Sequence, residues 1–210
     1  MKKGIARGFS LVELLVVIGI IGLLIALLMP SLARARMQAE QVQCLSNIRQ
    51  VGVALEIYAN ENDGWLYPPR LGANRARNER WTVHVFRGVW NPPIMICPSD
   101  TEPVEEHSYI LNDHLFQRDI KRGKKVADTN SSDVIVMGEK RSHRNDYYMN
   151  SNEENGSSDY PTRVEPYRHG IRLGSNYLFM DGHAQVQTPK EAAAGIDPWA
   201  LPTPAPEPAP

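Results

Sequence analysis

Between Phe9 and Met29 the chain carries one ionisable side chain, Glu13, at the start of the apolar run Leu14 to Met29. As a helix, Phe9 to Met29 would extend about 31 Å at roughly 1.5 Å per residue, which matches the hydrocarbon core of a bilayer. Such a run fixes one element of the fold before any other residue is considered: a helix that needs lipid, or other apolar helices, as its solvent. A lone carboxylate at the head of that helix is costly to leave unpaired, because its charged form loses hydration. Glu13 therefore requires a partner, and an amino group released by cleavage between Gly8 and Phe9 would stand one helical turn before it.

The residues around that bond, KKGIARG then FSLVELLVVIGIIGLLIALLMP, resemble the class III signal of type IV prepilins and type II secretion pseudopilins. In that family a short basic leader ends in Gly, the next residue is usually Phe, a Glu follows within the first turns, and a Pro interrupts the helix further on. Gly8, Phe9, Glu13 and Pro30 occupy those places. The resemblance implies leader recognition through Lys2, Lys3 and Arg7, and cleavage after Gly8 by a membrane-embedded prepilin peptidase. It further implies methylation of the new terminus at Phe9, and an assembly role for Glu13, paired with the Phe9 ammonium of a neighbouring subunit. It also implies an inner-membrane, single-pass protein with its N-terminus cytoplasmic and its head extracytoplasmic, and as partners sister subunits and a pilus or secretion assembly platform. Competing readings are an ordinary secretory signal, an uncleaved anchor, and a Glu13 carboxylate that reaches toward lipid headgroups. The apolar run is long for a signal h-region and lacks a following small-residue cleavage site, which argues against the first.

The remaining chain has room for one modest globular domain. With 23 basic and 24 acidic residues it shows no footprint for nucleic acid. Beyond Pro30, which should kink the helix or interrupt its hydrogen-bond ladder, Leu32, Ala35, Ala39, Val42, Leu45, Ile48, Gly52, Leu55 and Tyr58 recur every three or four residues. That period predicts an amphipathic continuation to about Asn60, stopped by Asn60-Glu61-Asn62-Asp63-Gly64. The expected segments are a leader (1–8), a membrane and assembly half-helix (9–29), an amphipathic half-helix (30–60), a β-rich head (61–187) and a Pro/Ala-rich flexible tail (188–210). The fold class is α+β and pilin-like, a long helix packed on a small, mainly antiparallel sheet.

Within the head, Trp81 to Trp90 is rich in β-branched and aromatic residues and reads as a strand, with a shorter one at Ile94 to Ile96. Asp133 to Glu139 reads as a central strand. Ser175 to Met180 and His183 to Gln187 form a hairpin about Asp181-Gly182, a dipeptide suited to a type I′ turn. Arg70, Arg75, Arg77 and Arg80 form a basic loop, and Lys140 to Arg168 a long irregular one. A second resemblance lies in Cys97-Pro98-Ser99-Asp100, Ser108-Tyr109-Ile110-Leu111-Asn112 and the late His169 to Asp181-Gly182 element. Together these are similar to a large prepilin-like family of planctomycetes and related bacteria. The eleven residues between His169 and Asp181 are two more than that family's pattern has.

Cys44 and Cys97 allow one disulfide, or two buried thiols. His169, Asp181 and His183 could converge on a cation, with Cys97 or Asp100 joining them. Ca²⁺ through oxygen ligands is the best match, although no ligand spacing within one element fixes such a site. No nucleophile motif or phosphate-binding loop is present, so no enzymatic activity and no other cofactor is expected. A second functional class stays open: a membrane-tethered module whose head captures a ligand or metal.

Overall fold

The computed structural model describes residues 10–65, 80–89, 92–112, 115, 132–149, 151–152, 157–158 and 160–188. The leader with Gly8 and Phe9, Arg70, Arg75 and Arg77 of the basic loop and the Pro/Ala tail after residue 188 lie outside the described residues.

Helix α1 runs from Leu11 to Glu61 and stays helical across Pro30. Pro30 cannot donate a backbone hydrogen bond, but one missing donor does not end a helix flanked by strong formers such as Leu and Ala. The next residue, Ser31, donates its hydroxyl to the Leu28 carbonyl at 2.7 Å. The chain's two compact units meet after Ala39, so α1 contributes to both. Its first part exposes every apolar side chain from Leu11 to Met29. Its second part buries Gln41, Cys44, Asn47, Ile48, Val51, Gly52, Leu55 and Ala59. This stripe departs from the expected one. Val42 points to solvent, 65 % exposed, while Cys44 and Val51 are fully buried, because the stripe is phased on the residues that meet the sheet. The stop is as expected: Gly64 N–H donates to the Ala59 carbonyl at 2.8 Å, with Asp63 and Gly64 both at positive φ, a Schellman-type end.

The head is built on an antiparallel sheet of four strands in the order β1 (Tyr109–Asn112), β2 (Ile135–Glu139), β6 (Ser175–Phe179), β7 (Ala184–Gln187). The two-residue strand β3 (Tyr148–Met149) adds parallel to β1. Strands β4 (Ser151–Asn152) and β5 (Ser157–Ser158) form a separate small ladder. As anticipated, Ile135–Glu139 is central, between β1 and β6. Every residue of β1, β2 and β6 is buried, so both sheet faces are covered. One face packs Leu111, Met137 and Leu178 in a cluster with Cys44, Ile48 and Leu55 of α1. Gly52 permits the approach, since a Cβ there would lie 2.8 Å from Leu178 Cδ1. The other face groups Ile110, Ile135, Tyr177 and Phe179 with Val164, which follows the short helix α3 (Tyr160–Arg163) and bridges to Lys140. The irregular stretch after Lys140 thus supplies part of the second layer.

Three local expectations are corrected. Trp81–Val85 is a short helix, α2, not a strand. Trp81, Thr82 and Val85 are buried at a spacing that suits one helical turn, and Arg87 and Gly88 at positive φ close it through Gly88 N–H to the Val83 carbonyl at 2.6 Å. The Ile94 to Ile96 segment is a 3₁₀ turn over Pro93–Met95, started by prolines that fix φ and remove donors. The Asp181-Gly182 hairpin is real, but Asp181 is not among the residues at positive φ whereas Gly182 is. The bonds Gly182 N–H to Phe179 O and Phe179 N–H to His183 O describe a type I turn closed by a left-handed Gly rather than type I′.

Candidate functional site

The N-terminal element is built from Ser10 and Glu13. Ser10 N–H donates to Glu13 Oε2 at 2.9 Å, and the Ser10 hydroxyl accepts from Val12 N–H at 3.3 Å. Two of the four orphan donors at the helix start are thereby used, the reciprocal arrangement of a capping box with the Ser10 hydroxyl on the second helical N–H. The pattern Ser-x-x-Glu ahead of an apolar run was the sequence signal for it. Glu13 therefore has a local partner before any amino group is released at Phe9. Its carboxylate also sits where the positive end of the helix dipole favours an anion.

Downstream of this cap, α1 is long and apolar enough to cross a membrane, and none of its most apolar window is buried by the chain itself. Residues 5–29 match the family model of the prokaryotic N-terminal methylation motif. The N-terminus is thus prepilin-like. The matched span takes in Gly8, Phe9 and Glu13 and ends just before Pro30, and the motif implies processing by a prepilin peptidase and association with a membrane. No curated protein and no solved structure matches the chain. The head is accordingly read from its own geometry.

In the head, Cys44 of α1 and Cys97 form a disulfide with Cα atoms 5.0 Å apart. It ties the helix to the segment leading into β1. Beside it lies His169, with Nε2 3.9 Å from Cys97 Sγ and 2.9 Å from Glu139 Oε1, both side chains fully buried. Its other ring nitrogen, Nδ1, is 3.2 Å from the Ser99 hydroxyl, which donates to Glu40. Glu139 Oε2 accepts the Asn176 backbone N–H at 3.0 Å, and Glu139 Oε1 accepts from Asn176 Nδ2 at 3.2 Å. The carboxylate is therefore held by two donors from one residue as well as by the imidazole.

The motif elements read from sequence fall around this cluster. Cys97 N–H donates to the Ser108 hydroxyl at 3.0 Å, and Asn112 Nδ2 to the Ile135 carbonyl at 2.7 Å. Asp100 Oδ1 accepts from Ser142 at 2.7 Å and faces Arg168 at 3.2 Å. These are bonds between distant segments, so the Cys-Pro-Ser-Asp and Ser-Tyr-x-x-Asn elements hold the head together.

The metal triad expected from sequence does not form. His169 bonds to Asn176, in the first half of β6, whereas Asp181 and His183 occupy the turn beyond the strand's far end, where His183 Nδ1 lies 2.5 Å from Asp181 Oδ1. The strand alone, from Asn176 to Phe179, spans on the order of 10 Å of extended chain, and the buried group of ligand atoms that includes His169 takes in neither Asp181 nor His183. Asp181 also serves the turn itself by accepting the His183 backbone N–H.

A second polar cluster was not visible in the sequence. Lys140 is buried at the end of β2 and donates Nζ to the carbonyls of Val104 at 3.1 Å and Arg144 at 2.6 Å, with His107 Nδ1 3.4 Å away. His107 stacks on Tyr147 with centroids 3.8 Å apart, and its Nε2 meets the Asp146 carbonyl at 3.0 Å. Burial and the Lys140 charge lower the His107 pKa to about 3. Burial likewise lowers Lys140 to about 8, against the opposing pull of Asp100, Asp146 and Glu105. Burial, reinforced by Glu139, pushes the Tyr109 hydroxyl up.

Proposed function

We propose that this chain is a non-enzymatic structural subunit, pilin-like or pseudopilin-like, cut after Gly8, methylated at Phe9 and built into a type IV pilus or a type II secretion filament. The observation that carries this reading is that a methylation motif at residues 5–29 opens a helix that continues without a break into the core of the head. A cleavable targeting signal would have no reason to be continuous with the domain it delivers. Here the apolar part belongs to the same helix that supplies Cys44, Ile48 and Leu55 to the head.

Before assembly the apolar part of α1 sits in the inner membrane, with the N-terminus cytoplasmic and the head outside, where the Cys44–Cys97 disulfide suits the redox environment. In the filament, sister helices take the place of lipid around the same side chains. Glu13 then exchanges its cap on Ser10 for the Phe9 ammonium of a neighbour, which offsets the cost of holding either charge among apolar helices and sets the axial step between subunits. Cleavage and assembly should separate in a Glu13→Ala variant. Its leader is still removed, while its recovery in sheared filaments falls at least about tenfold, as expected for loss of a charge pair of roughly 1.4 kcal/mol or more. Wild-type recovery of that variant would remove the register role from Glu13.

A further inference from the structure

The cluster around His169 holds more ligand chemistry than its packing requires. Cys44 Sγ, Cys97 Sγ, Glu139 and His169 place one ligand atom each within 4.8 Å of one another, and all four residues are buried. We propose that the head contains a redox-gated zinc site. When the Cys44–Cys97 disulfide is reduced, the two thiolates, His169 Nε2 and a Glu139 oxygen bind one Zn²⁺, so that disulfide and metal are alternative staples at the same place.

The donor set and its spacing support this directly. Two sulfurs, one imidazole and one carboxylate form a four-ligand tetrahedral set of the kind zinc takes, and soft thiolates select against Ca²⁺ and Mg²⁺. With Zn–S near 2.3 Å and Zn–N or Zn–O near 2.0–2.2 Å, tetrahedral ligand atoms stand about 3.3–3.8 Å apart. The Cys97–His169 separation of 3.9 Å and the His169–Glu139 separation of 2.9 Å already lie near that range. To close on one ion, the two sulfurs, joined in the disulfide, must move apart and the His169–Glu139 pair must open slightly.

The surrounding bonds are those a zinc site needs. With Nε2 on the metal, His169 Nδ1–H donates to the Ser99 hydroxyl, 3.2 Å away, which fixes the tautomer. Glu139 keeps both donors from Asn176, which fixes the carboxylate. Such outer contacts typically hold metal ligands in place. In the oxidised head His169 Nε2 faces Glu139 Oε1 and Asn176 Nδ2, each at 2.9 Å.

The conversion balances with a dithiol reductant. Two electrons and two protons pass to the disulfide, giving two thiols, while the reductant closes to its own disulfide. Zinc binding then releases the two thiol protons.

The test uses the full-length chain in detergent micelles, reduced with excess dithiol, freed of reductant anaerobically and titrated with Zn²⁺ against a chromophoric chelator. One zinc per chain is expected, with affinity at least about 100-fold above that of the oxidised chain, the scale set by losing metal ligands rather than their outer contacts. Co²⁺ in place of Zn²⁺ should give a thiolate-to-cobalt charge-transfer band and intense tetrahedral d–d absorption. His169→Gln should weaken binding to the reduced chain about 100-fold or more, and Ser99→Ala about 10-fold or more. The proposal is overturned if the reduced chain takes up no stoichiometric zinc. It is also overturned by a weak octahedral cobalt spectrum without the thiolate band, or by His169→Gln binding as tightly as wild type, which would reveal a two-thiol chelate. The wild-type cobalt spectrum decides the matter even if a core substitution prevents folding.

Discussion

The two parts of α1 share a backbone and differ in what completes them. From Leu11 to Met29 the apolar side chains are all exposed. From Glu40 to Glu61 the helix buries a stripe that the chain's own sheet covers. The first part is apolar on every side, as a helix long and apolar enough to cross a membrane is. The second keeps Arg49, Gln50 and Glu56 off the buried stripe because one side meets water. A helix fully satisfied within its own fold would show the second pattern throughout. The contrast therefore marks where the chain's self-sufficient fold ends and dependence on other molecules begins.

The largest expected separation of the two parts is in their response to acid. The head holds His107 neutral among Lys140, Arg80, Asp146 and Tyr147, with its pKa lowered from 6.5 to about 3. As pH falls below about 6.5 the unfolded chain takes a proton that the folded head refuses until about pH 3. The unfolded state thus binds more protons in that window, and head stability falls as pH falls, by on the order of a few kcal/mol from this group. Denaturant midpoints between pH 7 and 4 should show the slope, and His107→Gln should flatten it.

Removing the disulfide comes next. The bridge closes a loop between residues separated by 53 positions, worth about 4 kcal/mol on chain-entropy grounds. Cys44→Ser with Cys97→Ser should lower the head's thermal midpoint by calorimetry and leave membrane extraction unchanged. If it also released the chain from the membrane, the division of α1 into two independent roles would fail.

A paired truncation sharpens the contrast further. Leu55→Ala should cost the head about 3 kcal/mol, the usual effect of a buried Leu cavity. Leu24→Ala, on the exposed apolar part, should change the head's unfolding free energy by less than about 0.5 kcal/mol. Equal effects would mean that the first part of the helix is packed by the head after all.

Much of this was legible in the sequence where the signal is local and repeats. The apolar run, the helical period to Asn60, the Asn-Asp-Gly stop, the central Asp133 to Glu139 strand and the last hairpin each depend on residues within a few turns of one another. Trp81 to Val85 misled because β-branched and aromatic residues suit a strand, and the decisive signal was Arg87-Gly88, a left-handed stop one turn on. The capping role of Glu13 was written in Ser10-x-x-Glu13 and was overshadowed by the need to find the carboxylate a charged partner. The His169 cluster was half visible. Cys97 and Cys44 were a candidate pair, but Glu139 is 30 positions from His169 and reaches it only because β2 lies beside β6. The turn geometry of Asp181 and His183 in turn imitated a metal motif. Lys140 and His107 gave no signal, since nothing local foretells that a charged residue at a strand end will be buried against carbonyls.

The central claim is that the apolar half of α1 begins a processed subunit. The most direct measurement is intact-mass and N-terminal sequencing of the chain purified from membranes of a cell that carries a prepilin peptidase. Loss of residues 1–8 and an N-methylated Phe9 at the terminus are expected. A chain that retains Met1 through Gly8 would contradict that claim.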